Sequence, residues 1–366
     1  MSGSSATTSL INGFDGMVCD LDGVIYRGHQ AVPHAVQSVL SALSAGLRIV
    51  YATNNASRSP DQVAAHLGTL GLPGPSSRVV TSAQAGAGYL AQRCPRGSRV
   101  LAVGGPGVSL ALKEAGLLPI RAQLRSQQPT PAADSRPQEP LVAVLQGYGP
   151  EVAWTDLAEA AYAVQTGALW VATNIDSTLP TGRGIAPGNG ALVAAVRQAV
   201  NVDPVVVGKP QTPVYELSVA ALGTSVERTL AIGDRLDTDI RGAIAAGMKS
   251  LFVFGGVHGW ADLVVAERVS RPSYVATDLR SLHAPYPEPV QDLHDASRWV
   301  CGQASAWMSA SGDLAVSQAG ALNERLRAAL AALWHEGDVR GRPVDPRSGD
   351  GSAMADELEM AGARHS

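Results

Sequence analysis

Short apolar segments alternate with helical patterns through about the first 70 residues, and this alternation limits the fold more than any other feature of the chain. Two strand-like segments, GMVCDL and LRIVYATNN, are each followed by a helical pattern, PHAVQSVLSALSAG and SPDQVAAHLGTLG. In the first helical pattern, Pro33 suits the first turn and Gly46 suits the C-terminal cap. This order predicts parallel strands that are joined by crossover helices.

The same order returns after residue 200. The strand-like segments PVVVGKP, TLAIGD and KSLFVFGG alternate there with the helical patterns PVYELSVAALG and DIRGAIAAG. Right-handed crossovers between such segments build a doubly wound parallel sheet, whose reactive crevice lies outside the carboxyl ends of the strands. The chain is therefore predicted to have an α/β fold.

Residues 83–182 separate the two halves of this pattern and contain strand-like and helical segments of their own. We predict that they form a second α/β domain, inserted into a core made of residues 12–82 and 183–270. Within the insert, the polar and Pro-rich run at residues 124–140 is predicted to be a mobile loop.

Residues 281–366 form a C-terminal extension, in which AGALNERLRAALAALWHEG is the one convincing helical pattern. The Gly- and charge-rich tail, residues 338–366, is predicted to be disordered. Because the extension also carries apolar stretches with tryptophan, we expect it to dock on the rest of the protein and to affect oligomerisation or regulation. Assembly into a homo-oligomer stays open.

Charge and cysteine content exclude several classes of protein. The 366 residues carry a formal net charge of −4, which gives no global attraction to nucleic acid or anionic lipid. No segment approaches the roughly 18 apolar residues of a membrane helix, and the Ser/Thr-rich start does not resemble a secretion signal. The three cysteines are widely spaced, which argues against a disulfide framework or a zinc site. We therefore expect a cytoplasmic protein without nucleic-acid or membrane partners.

Two acids stand one residue apart where the first strand-like segment ends, in VCDLDGVIY. An ordinary turn accounts for Asp22 and Gly23 but not for Asp20. Side chains i and i+2 at a strand end lean to the same side, so the two carboxylates are predicted to face one small volume. A hard cation such as Mg²⁺ would relieve their repulsion.

Three further acids follow the strand-like segment TLAIG: Asp234, Asp237 and Asp239. A calcium-binding loop is excluded, because its glycine and its closing glutamate are absent at the required spacing. A helix-capping role for Asp239 stays open. Asp234 ends its strand directly and is thus a third acid at a strand end.

Two other strand ends offer groups that can bind phosphate. VYATNN supplies Thr53, Asn54 and Asn55, whose side chains and backbone can donate hydrogen bonds. VVVGKP supplies the positive charge of Lys209. Each segment alone is more simply a cap or a turn. Together with the acids, at four ends of one predicted sheet, they favour a phosphoryl-transfer site.

The segments DLDGV, ATNN, VGKP and GDRLDTDI, in this order, resemble the four motifs of the haloacid dehalogenase superfamily. The insert between the second and third segments matches the cap position in the branch that contains phosphoglycolate phosphatases, glycerol-3-phosphate phosphatases and nitrophenylphosphatases. WVATNIDSTLPTGRGIAPGNGALVAAV also resembles that branch, although Ile175 stands where many members have proline. The resemblance covers roughly residues 12–265 and implies a Rossmann-like core with an inserted cap domain.

The resemblance also implies a role for each candidate residue. Asp20 would be the nucleophile that forms an aspartyl phosphate, and Asp22 would be the general acid and base. The Asp20 carboxylate, the Asp22 backbone carbonyl and Asp234 would hold Mg²⁺. Asp239 would support these ligands from just outside. The phosphoryl oxygens would be held by the remaining candidates: Thr53, Asn54, Asn55 and Lys209.

The implied function is a Mg²⁺-dependent phosphatase of small phosphorylated metabolites. Glycerol 3-phosphate is the first candidate substrate, and 2-phosphoglycolate or another small metabolite is the alternative. An acid at position 22 suits phosphatases and phosphomutases and argues against a dehalogenase. A phosphomutase or phosphotransferase would use the same aspartyl phosphate, so that class stays open. A non-catalytic regulatory binding protein is disfavoured, because every proposed catalytic position carries a suitable residue.

Overall fold

The computed structural model describes residues 8–122, 140–181 and 183–363, and the loop predicted at residues 124–140 lies outside these ranges except for its last residue. The strands are β1 (Gly16–Cys19), β2 (Tyr26–Arg27), β3 (Gln30–Ala31), β4 (Arg48–Thr53), β5 (Val79–Thr81), β6 (Arg99–Val103), β7 (Leu118–Ile120), β8 (Ala143–Gln146), β9 (Leu169–Ala172), β10 (Thr178–Thr181), β11 (Gly184–Pro187), β12 (Val205–Val206), β13 (Thr229–Gly233), β14 (Lys249–Val253), β15 (Tyr274–Ala276), β16 (Val290–Gln291), β17 (Arg298–Cys301), β18 (Ala304–Met308) and β19 (Leu314–Val316). The helices are α1 (Ala35–Ser44), α2 (Pro60–Thr69), α3 (Ser82–Ala91), α4 (Pro106–Glu114), α5 (Trp154–Gln165), α6 (Asn189–Arg197), α7 (Pro213–Leu222), α8 (Arg241–Ala245), α9 (Trp260–Val264), α10 (Leu322–Arg340) and α11 (Gly351–Ala363).

The chain divides into two compact units, which are described one after the other. The first unit contains Met1–Ile49 and Leu222–Ser366, and the second contains Val50–Ala221. Strands and helices alternate in both units, which confirms the predicted α/β class. The domain boundaries drawn from the sequence, with an inserted domain at residues 83–182, stay a prediction.

A parallel sheet lies at the centre of the first unit, with the strand order β15, β14, β13, β1. The register of β1 with β13 places Gly16 opposite Thr229 and Cys19 opposite Ile232. Every residue of β1 and β13 is buried, as expected for strands that are covered on both faces. Because β1 and β13 end side by side, the residues that follow them come together at one edge of the sheet.

The C-terminal extension belongs to the first unit and has an antiparallel sheet of its own, in the order β16, β17, β18, β19. Leu326, Leu330 and Leu333 of α10 share one helical face by their spacing. They are buried in one apolar cluster with Phe252 of β14 and Leu263 of α9. The extension is therefore part of the same core as the parallel sheet, which agrees with the docking expected from its apolar stretches.

The described part of the tail, residues 338–363, contains helical segments, in contrast to the disorder predicted for residues 338–366, the last three of which lie outside the described ranges. The helix α10 continues to Arg340, and α11 occupies Gly351–Ala363. Met354 and Leu358, one helical turn apart, are buried in the apolar cluster of the extension. Trp260 Nε1 also donates a hydrogen bond to the Pro346 carbonyl, over 2.9 Å. The many glycines and charged residues of the tail make this single i, i+4 apolar pair hard to recognise in the sequence. The helix is stable because it packs against an existing core, whereas the isolated helix would not be.

Side chains of the extension close the edge strand β15. The backbone N–H of Val275 donates to Tyr286 Oη over 2.8 Å, and Arg327 Nε donates to the Val275 carbonyl over 3.2 Å. The guanidinium carbon of Arg327 lies 3.6 Å from the centre of the Tyr286 ring. Burial raises the pKa of Tyr286 to about 12, so the phenol stays protonated. These side chains make hydrogen bonds to the N–H and the carbonyl of Val275, which an edge strand would otherwise leave available for pairing with another chain.

The second unit contains a parallel sheet with the strand order β12, β9, β8, β6, β7. Trp170 of β9, Leu101 of β6 and Val193 of α6 are buried in its apolar cluster. β4 and β5 form a further parallel pair, and β10 and β11 form a hairpin.

No helix in the described ranges is both long and apolar enough to cross a membrane.

The strand that precedes Lys209 is not where the sequence predicts it. PVVVGKP is predicted to extend the sheet that carries the acids, but β12 pairs with β9 in the sheet of the second unit, with Val205 opposite Val171. The N–H of Val207 continues this pairing to the Ala172 carbonyl, over 3.1 Å. That prediction is therefore wrong. A short run of valines fits any buried parallel strand, so its sequence does not indicate which sheet it joins.

We expect Arg327→Met to destabilise the first unit. Methionine keeps an apolar stem but removes the donor to Val275 and the charge over Tyr286, which leaves the Val275 carbonyl with the longer hydrogen bond from Tyr286 Oη, at 3.5 Å. The expected loss is about 1–3 kcal/mol in the free energy of unfolding, measured by urea unfolding followed by tryptophan fluorescence. Arg347 is exposed, so Arg347→Met is the matched control. Equal effects of the two substitutions would contradict this role for Arg327.

Candidate active site

Three buried carboxylates meet at the carboxyl end of the parallel sheet in the first unit. Asp20 follows β1 and Asp234 follows β13, and the Asp20 N–H extends the ladder by donating to the Ile232 carbonyl over 2.9 Å. Asp239 lies on the single helical turn Leu236–Ile240. Each of the three acids is at most 9% exposed, and one oxygen from each lies within 4.8 Å of the others. The structure thus brings together three of the acids that were predicted to lie at one site.

This group of acids suits a hard divalent cation. Three carboxylates at this spacing in a buried position repel one another unless a positive charge lies among them. Within the described residues, the group consists of aspartates without histidine or cysteine. Carboxylate oxygens are the ligands that Mg²⁺ and Ca²⁺ prefer, whereas zinc and copper favour nitrogen and sulfur. The residues present therefore fit the predicted Mg²⁺.

The backbone after β14 orients Asp234. The N–H of Val257 donates to Asp234 Oδ2 over 2.7 Å. A Cβ atom at Gly256 would lie 1.9 Å from the same oxygen. Gly23 has φ +87°, and a Cβ there would lie 2.7 Å from that oxygen. Only glycine fits at positions 23 and 256. Because glycine has no side chain, the backbone segments at these two positions can both lie against the Asp234 carboxylate.

The segment GDRLDTDI sends two of its acids inward and one outward. Asp239 Oδ2 accepts the Arg235 N–H over 3.2 Å, and a Cβ at Gly233 would lie 2.1 Å from Asp239 Cβ. Asp239 therefore caps a backbone N–H, as the capping alternative allows, and also joins the buried acids. Asp237 is half-exposed and pairs with Arg235 over 2.9 Å. Burial acts to raise the pKa of Asp237, but the hydrogen bond and charge of Arg235 outweigh it and hold that pKa below its usual value.

Asp22 has a different environment from Asp20. Its side chain is exposed, whereas Leu21 between the two acids is fully buried. The backbone turns back directly after Asp22, because the Gly23 N–H donates to the Tyr26 carbonyl over 2.8 Å. Two carboxylates with different environments suit two different roles.

In the second unit, side chains of the chain segment after β4 shape their own turn. Thr53 is buried, and its Oγ1 accepts the Asn55 N–H over 3.0 Å. Asn55 Oδ1 accepts hydrogen bonds from the N–H and the Oγ of Ser57, over 3.0 and 2.7 Å. The Asn55 side chain thus holds the turn that presents this segment.

Asn54 holds the backbone of Lys209. Its Oδ1 accepts the Lys209 N–H over 2.8 Å, and its Nδ2 donates to the Lys209 carbonyl over 3.1 Å and to Asp176 Oδ2 over 3.3 Å. Lys209 is buried, and its Nζ donates to the Ala52 carbonyl over 3.2 Å. Both hydrogens of the Asn54 amide are engaged, so this side chain positions Lys209.

One group of contacting residues is not identified from the sequence. It is the 255–258 loop, whose sequence signal is the pair Gly255-Gly256 shortly after a strand. For Asn174 and Asp176, the sequence leaves open a contribution from the hinge of the cap. In the structure, Asn174 Nδ2 donates to the Asn54 carbonyl over 2.7 Å, and Asp176 Oδ2 accepts a hydrogen bond from Asn54 Nδ2. The tripeptide ATN occurs in both VYATNN and WVATNI.

Comparison with known families gives two matches that enclose these motifs. The model for haloacid dehalogenase-like hydrolases matches residues 17–118, and a second model described as HAD-hydrolase-like matches residues 206–282. The first range contains DLDGV and ATNN, and the second contains VGKP and GDRLDTDI.

Individual relatives agree with this assignment. A D-glycerol 3-phosphate phosphatase of Mycobacterium tuberculosis is 41% identical over 360 residues, which cover 95% of this chain and 94% of that protein. A 5′-nucleotidase of Bacillus subtilis is 32% identical, over 67% of this chain and 88% of its own. A solved glycerol phosphate phosphatase from Mycobacterium tuberculosis, in complex with magnesium, has a TM-score of 0.76 at 39% identity and covers 90% of this chain and 93% of that one. Since the four motifs, the parallel sheet and this similarity agree, the chain belongs to the haloacid dehalogenase-like hydrolase family.

Proposed function

We propose that this hydrolase is a Mg²⁺-dependent phosphatase of small phosphomonoesters and that glycerol 3-phosphate is its substrate. The buried group of Asp20, Asp234 and Asp239 carries the proposal, because a carboxylate nucleophile beside a hard-cation site suits phosphoryl transfer. Similarity to the mycobacterial glycerol 3-phosphate phosphatase supports the substrate. It spans 360 residues and so includes the extension, whereas similarity to the 5′-nucleotidase spans 244.

Asp20 acts as the nucleophile in the first half of the reaction. One of its carboxylate oxygens attacks phosphorus, and the bond between phosphorus and the glycerol oxygen breaks. Asp22 gives its proton to the departing alkoxide, which leaves as glycerol. This step forms an aspartyl phosphate at Asp20 and leaves Asp22 ionised.

Water completes the reaction in the second half. Asp22 accepts a proton from the water that attacks phosphorus, and the bond between phosphorus and the Asp20 oxygen breaks. Inorganic phosphate is released, and both carboxyl groups return to their starting states. The exposed position of Asp22 suits this exchange of protons with water and with the leaving group.

Two carboxylates and a backbone carbonyl would bind the cation. The Asp20 carboxylate, the Asp22 backbone carbonyl and Asp234 would hold Mg²⁺, and Asp239 would support them. When bound, Mg²⁺ neutralises the negative charge that the carboxylates and the phosphoryl group bring together. The N–H of Val257 keeps the Asp234 carboxylate in one orientation.

The residues of the second unit are assigned to the phosphoryl oxygens. Lys209 supplies positive charge, and Thr53, Asn54 and Asn55 supply hydrogen bonds from a side chain or the backbone. The Asn54 side chain makes hydrogen bonds to both the N–H and the carbonyl of Lys209. These bonds support the assignment, because a preorganised charge stabilises the transition state better than a mobile one.

Three further features of the sequence prediction are kept as proposals. The insert at residues 83–182 acts as the cap that excludes water from the reaction. The protein is cytoplasmic. Homo-oligomeric assembly, which the sequence leaves open, is the third feature, and light scattering coupled to size-exclusion chromatography would test it.

The substrate proposal predicts a ranking of kcat/KM. Glycerol 3-phosphate should exceed 2-phosphoglycolate, a nucleoside 5′-monophosphate and a hexose phosphate by about tenfold or more. Release of inorganic phosphate in the presence of Mg²⁺ measures this. Preference for another monoester would contradict the substrate but not the chemistry. Transfer to an added alcohol without stoichiometric release of phosphate would favour the phosphotransferase alternative.

The role of Asp22 predicts a dependence on the leaving group. Asp22→Asn should lower kcat for glycerol 3-phosphate by about 10²–10⁴, because an alkoxide needs a proton to leave. Nitrophenolate leaves without one, so nitrophenyl phosphate should still give a rapid burst of nitrophenolate, followed by slow turnover. Stopped-flow absorbance measures both phases.

Asp237 provides the matched control for this experiment. It is the outward-facing acid that pairs with Arg235, so Asp237→Asn should leave both phases unchanged. Loss of the burst in Asp22→Asn, or full activity of that variant on glycerol 3-phosphate, would contradict the acid and base role.

A further inference from the structure

We propose that His258 is a positioning residue, which fixes Asp234 for Mg²⁺ by capping the helical turn that follows it. This inference rests on the proposed function, in which Asp234 holds the cation. His258 ends the 255–258 loop, and its ring contacts the backbone of the acid-bearing segment: Leu236 donates its N–H to His258 Nδ1 over 2.8 Å.

The turn Leu236–Ile240 needs a cap from elsewhere. The first N–H groups of a helical turn have no acceptor within it. Arg235, which precedes the turn, makes no capping hydrogen bond with its side chain. His258, 22 residues beyond Leu236 in the chain, supplies the acceptor for the first N–H, that of Leu236. The ring therefore fixes the start of the turn that carries Asp239.

Two hydrogen bonds in opposite directions join the 255–258 loop to this segment. The loop donates through the Val257 N–H to Asp234 Oδ2, over 2.7 Å, and accepts through His258 Nδ1 from the Leu236 N–H. The donor and acceptor are adjacent on the loop, and their partners are two residues apart. A pair of contacts at this spacing restrains the rotation of the Asp234 carboxylate as well as its position.

The same loop also contacts the segment that carries the nucleophile. A Cβ at Gly255 would lie 1.8 Å from the Gly23 carbonyl oxygen, so the two backbones touch. Arg27 Nε donates to the Gly255 carbonyl. The loop thus links the residues after Asp20 to the residues around Asp234. Loosening its His258 end should alter the spacing of the carboxylates and weaken binding of the cation.

Two amide substitutions separate the hydrogen bond from the bulk of the ring. The side-chain oxygen of asparagine lies at about the reach of Nδ1, whereas that of glutamine lies at about the reach of Nε2. His258→Asn therefore keeps an acceptor for the Leu236 N–H, and His258→Gln does not. His258→Ala removes both the acceptor and the ring.

The test is Mg²⁺ binding by calorimetry on the full chain without substrate. His258→Ala and His258→Gln should weaken binding about tenfold or more, and His258→Asn should stay within about twofold of the wild type. At saturating Mg²⁺, kcat for glycerol 3-phosphate should recover in all three variants, because the acids themselves are intact. The exposed His294 gives the matched control, and His294→Ala should bind Mg²⁺ like the wild type.

Circular dichroism without Mg²⁺ establishes that each variant is folded, and the comparison of asparagine with glutamine decides the question if His258→Ala does not fold. Unchanged Mg²⁺ affinity in His258→Gln would overturn the inference, as would equal weakening by asparagine and glutamine. If the wild type binds Mg²⁺ and His258→Gln weakens it, but no monoester is hydrolysed, the proposed function fails and the inference stands.

Discussion

Repulsion among Asp20, Asp234 and Asp239 is the constraint around which the first unit is built. Parallel pairing of β1 with β13 brings the first two acids together whether or not their charges favour it. The structure surrounds the acids with backbone donors, and glycines at the contact points leave room for the carboxylates. A divalent cation neutralises the remaining negative charge of the carboxylates. The arrangement of the three acids is therefore electrostatically unfavourable until the cation binds.

The C-terminal extension is connected to this site through the core. Leu236 and Ile240, on the turn that presents Asp239, are buried in the same apolar cluster as Leu326 and Leu330 of α10. One face of the turn thus carries Asp239 to the other acids. The opposite face packs in the apolar core to which the extension contributes. The extension also closes the edge of the parallel sheet through Arg327. These contacts make it a structural part of the first unit.

The sequence predicts the parallel sheet and the meeting of Asp20 with Asp234, because strand ends and their register follow from local pattern. It does not assign Lys209 to its sheet, since VVV fits any buried strand. The order of the tail depends on a core that other segments supply. The engagement of the Asn54 amide with the Lys209 backbone, and the support given by the 255–258 loop, are contacts between segments distant in sequence, which no local pattern encodes.

Covalent catalysis by Asp20 is tested most directly by trapping the intermediate. Borohydride reduces an aspartyl phosphate to homoserine, and mass spectrometry of the peptide that contains residue 20 detects the change. During turnover of glycerol 3-phosphate with Mg²⁺, homoserine should form at position 20, more abundantly in Asp22→Asn, and not at all in Asp20→Asn. Turnover without conversion at position 20, or conversion at Asp234 instead, would contradict the aspartyl phosphate mechanism.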